Sequence, residues 1–396
     1  MRITGPWLTC PATQQLCALL EGGGHQVFFV GGCVRNALLN TEVGDVDMAT
    51  NALPGRVLAL AQEAGLRAVP TGIAHGTVTV VAGGTAYQIT TYRKDLHSDG
   101  RHALVRFTDD LALDAARRDF TMNALYATPG GKVVDPLGQG LADLQARRVR
   151  FVGEARQRIR EDYLRILRYF RFHAIYGDAA KGMDATTLAA IAACGACLGR
   201  LSKERIGAEM LKLLGAQEPS AAVRAMEQVG ILQQVLPDAR AHGLVALIRL
   251  EQENALLFDS ESRCNPLRRL AVLGGHGAAR ALRLSSKAAH YVNLCHRAAA
   301  QAQSVLELGY RHGLRKGRDM VLVRAALAGQ APPAAWQKEL QRGAVARFPV
   351  TAADLAPHYQ GAALGQQLRA QEQLWIDSGF VLERKDLLPR ASRYDD

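Results

Sequence analysis

The feature that most constrains this chain is a change of hydrophobic period near Phe151. Before it, strand-like and helix-like stretches alternate. Gln26 to Val30 is a short apolar run ending in Gly31-Gly32. A helical pattern follows over Val34 to Asn40, a second strand over Val43 to Ala49, and a helix over about Gly55 to Ala64. Thr77 to Val81 and Tyr87 to Tyr92 read as strands around a Gly83-Gly84 turn, and Lys94 to Asp110 is a polar stretch. After Phe151 the strand signals stop. Helix-period patterns run over Ile159 to Tyr176, Ala185 to Ala193, Lys203 to Leu214, Ala221 to Val229, Leu244 to Glu253, Pro266 to Leu273, Lys287 to Gly309 and Met320 to Ala328. The pattern predicts an α+β chain: a mixed-sheet first part followed by an all-α remainder in two or three subdomains.

Composition narrows the class. Apolar residues make up 48% of the 396 and charged residues 21%, which excludes a mainly disordered tail or a small disulfide-stapled fold. No apolar run approaches the roughly 18 residues of a membrane span, and Pro6, Pro11, Gln14, Gln15 and Glu21 stand where a signal peptide would be apolar, so the expected compartment is the cytoplasm. The seven cysteines are an odd, scattered set and are expected to be reduced; Cys194 and Cys197 form a lone CxxC in an Ala-rich helix, where small buried residues fit better than a zinc site. Net charge is +11, unevenly placed: residues 1–150 hold 14 Lys and Arg against 13 Asp and Glu, and the rest hold 34 against 24. A positive field over the helical part attracts a polyanion, of which nucleic acid is the commonest, although a basic surface serves solubility as well.

The sharpest local constellation is Gly31-Gly32-Cys33-Val34-Arg35 followed by Asp45-Val46-Asp47. Two glycines between a strand and a helix let the backbone approach a phosphate, and Arg35 can reach the same anion. Asp45 and Asp47, two apart on a strand, turn both carboxylates to one side while Val46 faces the core. Such a pair suits Mg²⁺, a hard ion that binds through one or two carboxylates plus substrate phosphates. An Asp-x-Asp alone also occurs at ordinary strand ends; beside the glycine turn it points to metal-assisted phosphoryl or nucleotidyl transfer.

On these residues the chain resembles the class II tRNA nucleotidyltransferase/poly(A) polymerase family of the polymerase-β superfamily. Gly31 to Asn36 and Asp45 to Asp47 match its first motif; Arg117 to Ala124 resembles its ribose- and phosphate-contacting segment; Asp135 to Gly138 and Gly140 to Leu144 resemble the turn closing its catalytic domain. Glu161-Asp162-Tyr163-Leu164-Arg165 to Phe172 looks like its nucleobase-selecting helix, and Leu201 to Ile206 with Glu209 like its last, structural motif. Thr71 to Thr77 is similar to the turn before its third strand, with His75 a structural residue. Lys94 to Asp114, including Asp99-Gly100-Arg101-His102, is similar to the loop that helps position a terminal A.

On the expected helix, Asp162 and Arg165 are three apart and share a face, with Arg168 and Arg171 continuing the stripe. A carboxylate accepts from an exocyclic amine and a guanidinium donates to ring nitrogens and carbonyls, so the pair can template C or A. The plain alternative is a solvated charged face over a core of Leu164, Ile166, Leu167, Phe170 and Phe172. Two departures from the family pattern stand out: Asn36 replaces an Asp, and Gln88 replaces a Glu beside the aspartate pair.

The resemblance implies a catalytic head (1–150), a helical neck (151–215), a body (216–345) and a tail (346–396). It implies addition of C, C and A to the 3′ end of tRNA from CTP and ATP, with Mg²⁺ on Asp45 and Asp47. Gly31, Gly32, Arg35, Arg118, Asp119, Asp162, Arg165, Arg168 and Arg171 would bind the nucleotide, and basic helices would bind the acceptor and TΨC arms. The alternatives are a poly(A) polymerase or A-only adding enzyme and, more remotely, a noncatalytic RNA-binding protein.

Overall fold

Along Thr77–Ala82 every second side chain is buried, the pattern of a strand with one face on a core. That strand belongs to a seven-stranded sheet. In the computed structural model, which describes residues 1–98, 103–274, 277–301 and 303–389, the first part of the chain runs α1 (Pro6–Thr9), α2 (Pro11–Gly22), β1 (Val27–Val30), α3 (Gly32–Leu38), β2 (Asp47–Thr50), α4 (Pro54–Glu63), β3 (Arg67–Gly72), β4 (Thr77–Ala82) and β5 (Thr85–Thr91). It continues through β6 (Arg93–Ser98), β7 (Ala103–Phe107), α5 (Leu111–Ala116), β8 (Tyr126–Ala127), β9 (Val133–Val134) and α6 (Gly140–Gln145). The sheet order is β3-β4-β5-β2-β1-β8-β9; β2 and β5 are parallel and the other pairs antiparallel. On the β3 edge the register shifts between Val69 and Gly72.

The polar stretch after Tyr92 is not a plain loop. Residues 93–98 and 103–107 pair as an antiparallel arm, β6 with β7, separate from the main sheet. Asp99, Gly100, Arg101 and His102 lie outside the described residues.

Helices then take over: α7 (Ala155–Glu161), α8 (Leu164–Tyr176), α9 (Ala185–Cys194), α10 (Lys203–Leu214), α11 (Ser220–Gln228) and α12 (Ile231–Val235). Asp184 caps α9 by accepting from Thr187 N at 2.7 Å, and Ser202 caps α10 by accepting from Arg205 N at 3.4 Å. Phe120, Phe151, Tyr169 and Phe172 form an aromatic core joining the segment before β8 to α8; Phe120 and Phe172 centroids lie 4.8 Å apart, and Phe151 stacks on Tyr169 at 5.7 Å. Cys194 is buried and Cys197 half-buried, and all seven cysteines are free thiols.

The chain divides into two compact units, Met1–Pro237 with Ala281–Arg283, and Asp238–Arg280 with Leu284–Asp396. The second unit is helical, with long helices at Pro266–Leu273, Ser286–Ala300, Val305–Ala328 and Gly361–Asp377. The expected helix over Lys287 to Gly309 ends at Ala300, and the one expected over Met320 to Ala328 starts earlier, at Val305, with a kink at Gly313, whose φ of 72° favours glycine. Inside this unit Arg268 and Arg269 are buried on Glu251: Arg268 Nε donates to Oε1 at 2.8 Å and Arg269 Nη2 to Oε2 at 2.8 Å. Arg268 Nη1 also donates to Asp319 at 3.0 Å, and the Tyr291 hydroxyl donates to the same carboxylate at 2.5 Å.

Candidate active site

β1 runs straight into Gly31, whose φ of 72° and ψ of −118° lie in the region that favours glycine. A Cβ on Gly31 would stand 3.6 Å from Arg118 Nη1, and one on Gly32 would stand 3.8 Å from Arg35 Nη2. Two guanidinium groups therefore flank the bare backbone of the turn. The Gly31 amide is not offered outward: it donates to Leu125 O at 3.1 Å. The cationic character of this turn comes mainly from side chains.

Asp45 and Asp47 approach the same region from the next segment. The strand expected over Val43 to Ala49 forms only from Asp47 to Thr50, and Asp45 sits in the bend before it. Alternation survives the shortening: Asp45 is exposed, Val46 buried and Asp47 half-buried. Burial pushes the Asp47 carboxyl above the usual carboxylate range; nearby Arg118 opposes this and Asp45 adds to it. Two carboxylates that repel each other are a donor set that a hard divalent cation relieves. In the parallel register Gln88 lies directly across from Asp47. Among the described residues no group of three or more His, Cys, Asp or Glu converges, so the donor set here is the aspartate pair beside a neutral amide.

Arg118 and Asp119, from the turn after α5, are both locked. Asp114 accepts from Arg118 Nη2 at 3.1 Å, from Arg117 Nη2 at 2.7 Å and from the Tyr126 hydroxyl at 2.6 Å. Burial alone would raise the Asp114 carboxyl, but Arg118, Arg117 and that hydroxyl outweigh it and hold it at about 2. Asp119 accepts from Arg168 Nε at 2.8 Å, from Asn123 Nδ2 at 2.9 Å and from Phe120 N at 2.8 Å. Burial again acts upward, and Arg168 with these hydrogen bonds brings it to about 2. Arg35 is buried, with Nη2 donating to the Tyr176 hydroxyl at 2.6 Å, Nε and Nη2 donating to Asn36 Oδ1 at 3.1 and 2.9 Å, and Nη1 donating to Asn123 Oδ1.

The single helix expected over Ile159 to Tyr176 is broken. Asp162 has φ −153° and ψ 108°, an extended residue that ends α7, and α8 begins at Leu164. Asp162 and Arg165 therefore do not stand on one helical face, and different partners hold them. Asp162 accepts from Leu164 N at 3.0 Å and from Arg205 Nη2 at 2.8 Å. Arg165 donates to Glu161 Oε2 at 2.6 Å and to Arg158 O at 2.9 Å. The physical reason is local: an Asp side chain that accepts from the amide two residues on competes with helix continuation. Arg168 faces Asp119, while Arg171 donates to Glu209 Oε2 at 2.6 Å and lies 4.7 Å from the Phe172 centroid.

The structure thus gathers Gly31, Gly32, Arg35, Arg118, Asp119 and Arg168 around the turn, and it places Asp162 and Arg165 at the α7–α8 break. Sequence reasoning passed over Asp114, Asn123, Tyr176 and Arg205. Asn123 lay inside the quoted Arg117–Ala124 block, and Tyr176 falls at helical spacing beyond Arg168 and Phe172, so both carried a signal. Asp114 carried one in its spacing, three and four residues before Arg117 and Arg118, whereas its bond to Tyr126, twelve residues on, carried none.

Two family models match the chain: the poly A polymerase head domain over residues 27–150, and the probable RNA and SrmB-binding site of polymerase A over 182–242. The chain is 31% identical to CCA tRNA nucleotidyltransferase 1, mitochondrial, of Danio rerio, over 96% of its own length and 90% of that protein. It is 34% identical to the CCA-adding enzyme of Geobacillus stearothermophilus over 82% of its length and 79% of that protein. Its matches to the Mus musculus and Homo sapiens proteins named CCA tRNA nucleotidyltransferase 1, mitochondrial, span 58% and 50% of those proteins. Among solved structures it is similar to the Bacillus stearothermophilus CCA-adding enzyme in complex with CTP, with a TM-score of 0.69 at 28% identity, covering 95% of this chain and 94% of that one.

Proposed function

Because the chain belongs to the CCA-adding tRNA nucleotidyltransferase family, we propose that it extends tRNA 3′ ends by C, C and A, using CTP and ATP and releasing pyrophosphate. The observation that carries this reading is similarity over nearly the full length to the Danio rerio protein, in a chain whose aspartate pair and glycine turn meet beside Arg118. In the reaction the terminal ribose hydroxyl oxygen bonds to the α-phosphorus, the bond from that phosphorus to the bridging oxygen of pyrophosphate breaks, and the hydroxyl proton leaves to solvent.

The chain's own residues divide the work. Gly31 and Gly32 admit the triphosphate close to the backbone, and Arg35 and Arg118 face its charge. Asp119, held by Arg168 and Asn123, serves the ribose. Asp162 and Arg165 read the base edge as acceptor and donor, and Arg168 and Arg171 assist them or hold phosphate. Asp45 and Asp47 would hold Mg²⁺, whose chemistry when bound is to lower the pKa of the attacking hydroxyl and to neutralise charge on the leaving group. The parts act as head, neck, body and tail with the boundaries given above. The basic helical parts bind the acceptor and TΨC arms through backbone charge and shape. Among the described residues no helix is long and apolar enough to cross a membrane, and the cytoplasm is the proposed site of action.

One assay tests the whole reading. The full chain is incubated with Mg²⁺, each labelled nucleoside triphosphate alone, and tRNA ending before the first C, after one C, or after two. The expected result is C, then C, then A, then arrest. Incorporation of A without C points to an A-adding enzyme, and runs of A on unrelated RNA point to polyadenylation. No incorporation at all leaves the RNA-binding alternative.

A further inference from the structure

Among the described residues the other buried arginines are each matched by a carboxylate: Arg158 by Glu161, Arg268 by Glu251 and Asp319, Arg269 by Glu251, and Arg318 by Asp319. The half-buried Arg118, Arg168 and Arg171 have Asp114, Asp119 and Glu209. Arg35 departs from this pattern. It is only 7% exposed, yet its hydrogen-bond partners in the structure are two amides and a phenol, those of Asn36, Asn123 and Tyr176. The Tyr176 ring lies 4.0 Å from the guanidinium carbon and Phe172 lies 5.2 Å away. The charge of Asp119 acts on Arg35, but its carboxylate is taken by Arg168; Arg171, also acting on Arg35, adds like charge. Arg35 Nη2 meanwhile stands beside Gly32.

A buried cation with neutral partners is expensive, because its field is not cancelled inside the protein. The arrangement makes chemical sense where an anion supplies the missing charge. The same partners also fix where that cation sits. Asn123 bonds both Arg35 and Asp119, Asp119 bonds Arg168, and Arg168 and Tyr176 lie on one helix, α8, about 12 Å apart along its axis. Together with α8 the hydrogen bonds close a ring that runs from α8 to Arg35 on α3 and back.

Resting on the nucleotidyltransferase reading, we propose that Asn36, Asn123 and Tyr176 form a charge-neutral cage that positions Arg35 and leaves its charge for the nucleotide triphosphate, with Tyr176 a positioning residue. None of the three need touch the nucleotide. The cage ties phosphate binding to the placement of α8.

The test titrates inorganic triphosphate calorimetrically into the full chain in magnesium buffer, beside KM and kcat for CTP and ATP on tRNA. Asn36→Asp gives Arg35 an internal counter-charge and is expected to weaken triphosphate binding roughly tenfold, raising KM for both nucleotides together while kcat falls less than threefold. Unchanged binding in that variant overturns the neutral cage. Tyr176→Phe removes one hydroxyl and keeps the ring, and it carries the test if Asn36→Asp does not fold. It too is expected to weaken triphosphate binding roughly tenfold, the loss of one hydrogen bond to a charged group. In an Arg35→Ala background the same change is expected to have no further effect. An unchanged affinity in Tyr176→Phe, or an equal loss with and without Arg35, overturns the positioning role. A parent protein that binds triphosphate but extends no tRNA would sink the nucleotidyltransferase reading and leave the cage standing.

Discussion

At the scale of the residue, chemistry here is decided by how each charge is matched. Asp47 is pushed toward its neutral form by burial and by Asp45, and Gln88 across the register adds no third carboxylate. Asp47→Ala is expected to lower incorporation by at least roughly a thousandfold while tRNA affinity, measured by filter binding, changes less than twofold; retained activity would remove the aspartates from the mechanism. Arg165→Ala should blur discrimination between CTP and UTP in single-turnover assays more than it weakens tRNA binding. Asp114 and Asp119 are each held at about 2. A carboxyl depressed in the folded state adds stability above its ordinary pKa near 3.8 and loses it as pH falls toward 2. Thermal melting between pH 6 and pH 2 should therefore show a midpoint falling below about pH 4, and the loss should be smaller in Asp114→Asn, already less stable at neutral pH.

At the scale of the element, most helices and strands were legible because burial there follows a single period. Lys203–Leu214 and Pro266–Leu273 form over the residues the pattern indicates. The aspartate pair and glycine turn were legible because their spacing is local. Three features were not. Along β6 the half-buried positions Arg93 and Asp95 are charged while Leu96 is exposed, so apolar alternation does not mark a core face and the segment reads as polar loop. The α7–α8 break depends on Asp162 choosing its own neighbour's amide and Arg205, a partner more than forty residues away. The helix from Val305 to Ala328 crosses the glycine-punctuated stretch between the helices expected to end at Gly309 and to start at Met320, so its continuity through the kink at Gly313 does not show in the pattern. The buried face of α8 is legible: Leu164, Ile166, Leu167, Phe170 and Phe172 are expected in the core, and all are buried. Phe170→Ala should cost about 3–5 kcal/mol in a urea titration; a loss under about 1 kcal/mol would mean that this helix is not seated on a packed core.

At the scale of the whole molecule, charge is unevenly placed along the sequence. Most of the net positive charge lies after residue 150, so the logarithm of tRNA affinity should fall linearly with the logarithm of salt concentration, with a slope counting the phosphates neutralised. A flat salt profile would point to contacts of another kind. In the second unit, Asp319 bonds buried Arg268 and Tyr291. Asp319→Ala leaves Arg268 with less compensation and should cost about 3–5 kcal/mol on unfolding, with nucleotide binding to the first unit intact. The seven-stranded sheet has a further consequence for behaviour in concentrated solution. One boundary strand, β9, is two residues long, and the other, β3, carries Pro70 and an irregular register. Neither offers a neighbouring copy the long row of unpaired amides on which fibrils grow; the fold brings its own brake on aggregation.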